Sequence, residues 1–165
     1  MINTRRQLLQ RASAGLALAL LSGCGLDTGA EQGRGPEPAP EERERLEELT
    51  LSLSEALPLD ELPPLLLTWA GDRSALAALA PLGARALTQS SEGAPEWEAQ
   101  LRARFIEPLE GATGDAFIEA LDELCRADYD HLKIVEVGGW WLSDREVLSC
   151  VLAYLIDLNH SLSAP

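Results

Sequence analysis

The sequence predicts a mainly α-helical domain of about five or six helices, with a short β-ribbon before the last helix. Three observations carry this. Apolar residues recur at spacings of 3 and 4 over most of residues 41–165, the period of a helix buried along one face. Proline and glycine interrupt those runs at intervals suited to short helices. A single β-branched stretch, Ile134-Val135-Glu136-Val137, breaks the helical pattern and runs into Gly138-Gly139, which reads as a strand entering a tight turn.

Leu46, Leu49, Leu53 and Leu57 follow the charged start Glu41–Arg45 and mark an amphipathic helix that Pro58 ends. Asp60–Trp69 reads as a short second helix interrupted by Pro63-Pro64. Asp72 is a suitable N-cap for the Ala/Leu-rich stretch Arg73–Ala80, and Pro81 opens another turn or two toward Thr88. Residues Gln89–Pro95 form a loop. Trp97, Leu101, Phe105 and Leu109 keep helical spacing, with Pro108 placed to kink or stop that helix. Beyond Gly111–Gly114, residues Phe117, Leu121, Leu124 and Asp128 define another helix whose core face runs out at its acidic end. After Gly138-Gly139, Trp140–Leu142 supplies the strand that pairs with Ile134–Val137. Ser143-Asp144-Arg145-Glu146 is a capping box, in which a serine hydroxyl and a glutamate carboxylate satisfy opposite backbone N–H groups, and it starts the last helix.

The segment before this domain has a different character. Every charged residue ahead of Cys24 is basic (Arg5, Arg6, Arg11), and Ala12–Leu21 is an apolar run. At 1.5 Å per residue that run spans about 15 Å, half of a hydrocarbon core, so it reads as the h-region of a cleaved signal peptide. Thr4-Arg5-Arg6-Gln7-Leu8-Leu9-Gln10 resembles the twin-arginine export motif, and Leu21-Ser22-Gly23-Cys24 resembles a bacterial lipobox. The resemblance implies that residues 1–23 are removed and that Cys24 becomes a lipid-bearing N-terminus facing the periplasm. Gly25, where a retention aspartate would otherwise stand, resembles lipoproteins sorted to the outer rather than the inner membrane.

Residues 24–40 then read as a lipidated cysteine and a tether rich in proline, glycine and glutamate. Leu26 is its sole large apolar side chain, so it buries too little surface to offset its ordering entropy. Residues 41–165 are a single domain.

Charge excludes some partners. The chain carries 13 basic and 27 acidic residues, a formal charge of -14, which would repel nucleic acid. Cleavage removes three of the 13 basic residues and none of the 27 acidic ones, leaving 10 against 27 and a charge of -17. Anionic headgroups would not attract such a chain, so membrane attachment falls to acyl chains on Cys24, each buried CH₂ contributing about 0.8 kcal/mol.

Chemistry leaves few marks. His131, His160, Cys125 and Cys150 do not make a metal-ligand set, and Asp128-Tyr129-Asp130-His131 reads as a solvated turn because the glycine and terminal glutamate of a calcium loop are missing. Phosphate loops, dinucleotide fingerprints and nucleophile elbows are absent from the sequence, so neither a cofactor nor catalysis is expected. Cys125 and Cys150 are either small buried hydrophobes or, in an oxidising compartment, a disulfide between the last two long helices.

Trp140 and Trp141 carry the sharper expectation. Adjacent residues of a strand point to opposite faces, so one core cannot easily bury both. Either the turn rotates both inward or one of them caps the last helix, or one of them belongs to a protein-contact surface, with an acidic rim suited to a basic partner. A small helical chain bearing an export signal and no cofactor motif resembles accessory subunits of periplasmic dehydrogenases, which escort a signal-less catalytic subunit. The other reading is an autonomous lipoprotein scaffold or interaction module of the cell envelope.

Overall fold

A computed structural model describes residues 39–59 and 61–163. The leader with Arg5 and Arg6, the lipobox residues Leu21, Ser22, Gly23 and Cys24, and nearly all of the tether lie outside the described residues. Of residues 1–43, the last five open the first helix, where the Ala39 N–H donates to Glu42 Oε2 at 3.1 Å. Residues 44–165 form one compact unit.

Among the described residues the fold is mainly α, with six helices and a two-stranded antiparallel hairpin before the last. In order these are α1 (Pro40–Ala56), α2 (Pro63–Ala70), α3 (Arg73–Gln89), α4 (Ala94–Leu101), α5 (Gly114–Asp130), β1 (Ile134–Val137), β2 (Trp140–Ser143) and α6 (Asp144–Ser163). Among the described residues, no helix is long and apolar enough to cross a membrane.

Helix α1 buries Leu49 and Leu53, and Leu57 follows them into the core. It has no basic residue in its last turn, but the Arg102 guanidinium donates to the Ala56 carbonyl, one of the groups a helix end leaves unsatisfied. Arg45 donates to the carbonyls of Ser90 (2.6 Å) and Glu92 (3.1 Å), tying α1 to the α3–α4 loop.

Two proline readings are revised, and a third is borne out. Pro63-Pro64 does not interrupt α2 but begins it, at positions whose N–H groups have no intrahelical partner to lose. Pro81 does not start a new element either: α3 runs unbroken from Arg73 to Gln89 with Pro81 inside it. The lost hydrogen bond and ring clash are offset by packing, since α3 buries Leu76, Leu79, Ala80, Gly83, Ala86 and Leu87. Pro108 does end its helix, by a route that spacing alone does not reveal. Helix α4 passes into a π-helical turn over Arg102–Ile106 and then a 3-10 turn over Glu107–Leu109, and the wider i→i+5 ladder lets the backbone slip register ahead of the residue that cannot donate. Trp97, Leu101, Phe105 and Leu109 all stay in the core through this change.

The centre of the unit is the packing of α3 against α6, the most extensive in the fold. Gly83 permits it: a Cβ there would stand 2.0 Å from the Cys150 carbonyl oxygen and 2.9 Å from Tyr154 Cβ. Along α6, Val147, Leu148, Val151, Leu152, Leu155 and Ile156 are buried. On the other side, Phe117 and Leu121 of α5 complete the core, with Phe117 edge-on to Phe105 at 6.4 Å.

No disulfide joins Cys125 and Cys150, so the possible bridge is corrected: both are buried thiols. Cys150 lies where α6 crosses α3, and a buried thiol packs as a small hydrophobe. Burial pushes the Cys150 thiol up to about 12, with the nearby Glu146 charge adding to the effect.

Candidate protein-docking ribbon

Helix α5 ends at Asp130, and the chain reverses through Leu132, which adopts a left-handed backbone (φ 55°) and is 80% exposed. Non-glycine residues rarely take that conformation. Here the Lys133 N–H donates to the Asp128 carbonyl at 2.8 Å and the Leu132 N–H to the Tyr129 carbonyl at 3.1 Å, holding the turn closed. Strand β1 then pairs with β2 in the register Ile134↔Ser143, Val135↔Leu142, Glu136↔Trp141 and Val137↔Trp140. The two-residue connection Gly138-Gly139 has positive φ at both positions (60° and 85°), as a primed hairpin turn requires. Arg85 of α3 lies against Gly138, where a Cβ would come within 2.8 Å of its guanidinium.

The base of the ribbon is fastened by polar contacts. Ser143 and Glu146 form the expected reciprocal cap: the Ser143 N–H donates to Glu146 Oε2 at 2.8 Å and the Glu146 N–H to Ser143 Oγ at 3.2 Å. The same carboxylate oxygen accepts from the Tyr129 hydroxyl at 2.6 Å, linking α5 to the start of α6. Burial, then the bond to Glu146, raises the Tyr129 pKa above its ordinary value.

Asp128 corrects the reading of residues 128–131 as a solvated turn. It sits on the last turn of α5, fully buried, pairs with the Arg145 guanidinium and accepts from the Arg145 N–H at 3.1 Å. A buried carboxylate needs such compensation. Tyr129, Asp130 and His131 of that tetrad are exposed. Arg104 pairs with Asp144, joining the π-helical turn to the N-terminus of α6.

Against this frame the tryptophans fall as strand alternation requires, yet neither is buried. Val135, Val137, Trp140 and Leu142 share one face of the ribbon, while Ile134, Glu136, Trp141 and Ser143 share the other. Val137 and Leu142 bed on the helices, leaving Trp140 at the margin with 40% exposure and Trp141 at 62%. Inward rotation of the pair is therefore excluded. Val135 and Tyr129 are also partly exposed, and Leu132 projects beside them in sequence. Spacing had not singled out Leu132; its one signal is an isolated apolar side chain between His131 and Lys133, outside either strand.

Among the described residues, no cluster of three or more His, Cys, Asp or Glu is placed to hold a metal ion. Comparison with known protein families, characterised proteins and solved structures finds no match.

Proposed function

We propose that this chain is a lipid-anchored protein-interaction subunit of the cell envelope, without a catalytic role of its own, and that the Trp140–Trp141 ribbon is the surface that meets its partner. The observation that carries this reading is the exposure of two adjacent tryptophans on a hairpin fastened at its base by a capping box and a buried ion pair. Tryptophan is prominent among residues that dominate binding energy, and a pre-ordered hairpin loses little entropy on docking. Cys24 supplies the anchor, facing the periplasm from the outer membrane.

The Arg5-Arg6 pair favours the accessory form of this role, in which the chain escorts a signal-less catalytic subunit of a periplasmic oxidoreductase through the twin-arginine route. In the alternative form it is an autonomous scaffold. Co-purification from solubilised envelopes tests both. A defined oxidoreductase subunit should accompany the wild type and be lost from the Trp140→Ala/Trp141→Ala variant, whose thermal unfolding should stay near that of the wild type. Replacing Arg5 and Arg6 with Lys should then leave both proteins in the cytoplasm. Normal export of either after that change removes the escort reading, and equal recovery with the double Trp variant removes the ribbon from the interface.

A further inference from the structure

We propose that Trp141 and Glu136 form a seat for an arginine side chain carried on a basic, extended segment of the partner. This deepens the interaction reading above and rests on it. The two residues are directly opposed across the ribbon. With a two-residue turn, the pair next to the glycines, Val137↔Trp140, is the hydrogen-bonded one, so Glu136↔Trp141 is a non-hydrogen-bonded pair whose Cβ atoms stand about 5 Å apart. Both side chains are exposed on the same face, which places an indole ring and a carboxylate side by side in solvent. That combination suits a guanidinium, which stacks on an indole through its planar face and donates to a carboxylate through its edge.

The net charge of the chain agrees with a cationic guest. The chain as a whole carries -14, which draws a basic segment toward it. The nearby cations do not fill the seat. Arg145 is held by Asp128 and Arg104 by Asp144, Arg85 lies against the turn at Gly138, and alternation carried one residue back from β1 puts Lys133 on the Val135 face. Ile134 completes the Trp141 face as a half-buried aliphatic floor. Trp140, on the opposite face, serves a different contact.

The test uses the full-length chain in neutral detergent micelles and a fluorescein-labelled peptide of alternating arginine and valine, read by anisotropy. Binding should saturate. Trp141→Ala and Glu136→Gln should each weaken it about fivefold, the scale of an exposed cation–π contact and its paired charge. Glu55→Gln, on the exposed side of α1, should leave it within twofold. A peptide with citrulline in place of arginine, equal in shape but uncharged, should not bind. All variants should unfold at the wild-type temperature, since both seat residues are exposed.

The proposal is overturned by equal binding of the citrulline peptide, by an effect of Glu55→Gln as large as that of Glu136→Gln, or by indifference to Trp141→Ala. Phosphatidylcholine vesicles that blue-shift the tryptophan fluorescence of the wild type but not of Trp141→Ala, while the arginine peptide fails to bind, would overturn it in favour of a lipid surface. Loss of an envelope partner in the double Trp variant, with Glu136→Gln harmless to that capture, rejects the arginine seat and leaves the interaction reading standing.

Discussion

Replacing Gly83 with Ala should destabilise the domain, although the same change in an ordinary helix would stabilise it. Removing a glycine from a helix interior contributes roughly 0.5–1 kcal/mol in favour of folding. At position 83 the new methyl would lie 2.0 Å from the Cys150 carbonyl oxygen, 2.5 Å from its carbon and 2.9 Å from Tyr154 Cβ. Two of those atoms are backbone, so no rotamer change relieves the overlap. Ordinary contact starts near 3.4 Å, and restoring it means separating α3 from α6 by more than 1 Å at their closest point. Overpacking of this kind costs typically 1–3 kcal/mol and occasionally more, and backbone overlap at the main helix pairing belongs at the upper end. After subtracting the propensity gain, a net loss of about 2 kcal/mol remains. For a domain of this size that corresponds to a fall in Tm of roughly 6–12 °C. Circular dichroism at 222 nm during heating, with urea unfolding to check two-state behaviour, measures it. Ala77→Gly, on the exposed side of the same helix, isolates the propensity contribution and should cost about 1 kcal/mol. A Gly83→Ala protein as stable as the wild type, or more stable, would show that α3 and α6 do not approach as described.

Asp128→Asn leaves Arg145 charged and partly buried without its counter-ion, and urea unfolding should register a loss of about 3 kcal/mol. Ser143→Ala removes the hydroxyl that receives the Glu146 N–H and should cost about 1 kcal/mol by the same assay. Cys150 makes stability depend on alkaline pH: its thiol ionises near the ordinary 9 when unfolded but only at about 12 when folded, so the unfolded state loses the proton first. Its contribution is fully present below pH 9 and declines by up to about 4 kcal/mol as pH rises toward 12; unfolding of Cys150→Ala across that window should show a distinctly shallower decline. Labelling with a clickable fatty acid should mark the wild type and not Cys24→Ser, and equal labelling of the two would refute the lipid anchor.

What could be read from the sequence was what short stretches of chain settle by themselves. Capping is a contest among groups within four residues, so Asp72 and the Ser143–Glu146 box were legible, and the structure shows both: Ala75 N–H donates to Asp72 Oδ1 at 2.8 Å, and Ser143 and Glu146 cap each other. The ribbon was legible for the same reason, because β-branched residues ahead of two glycines define a strand and a primed turn locally. Periodicity identified the buried faces of α1, α4 and α5. Tertiary packing decided the rest. Pro81 lies inside a continuous helix because burial along α3 outweighs a local penalty that the sequence displays more plainly than its compensation. The role of Gly83 depends on a carbonyl 67 positions away in the chain. Asp128 looked like a solvated acid because its partner, Arg145, arrives only when the hairpin brings α6 back against α5. Alternation assigned Trp140 and Trp141 to opposite faces, but how deeply a ribbon beds on its helices is a property of the assembled core, and that depth left both rings in solvent.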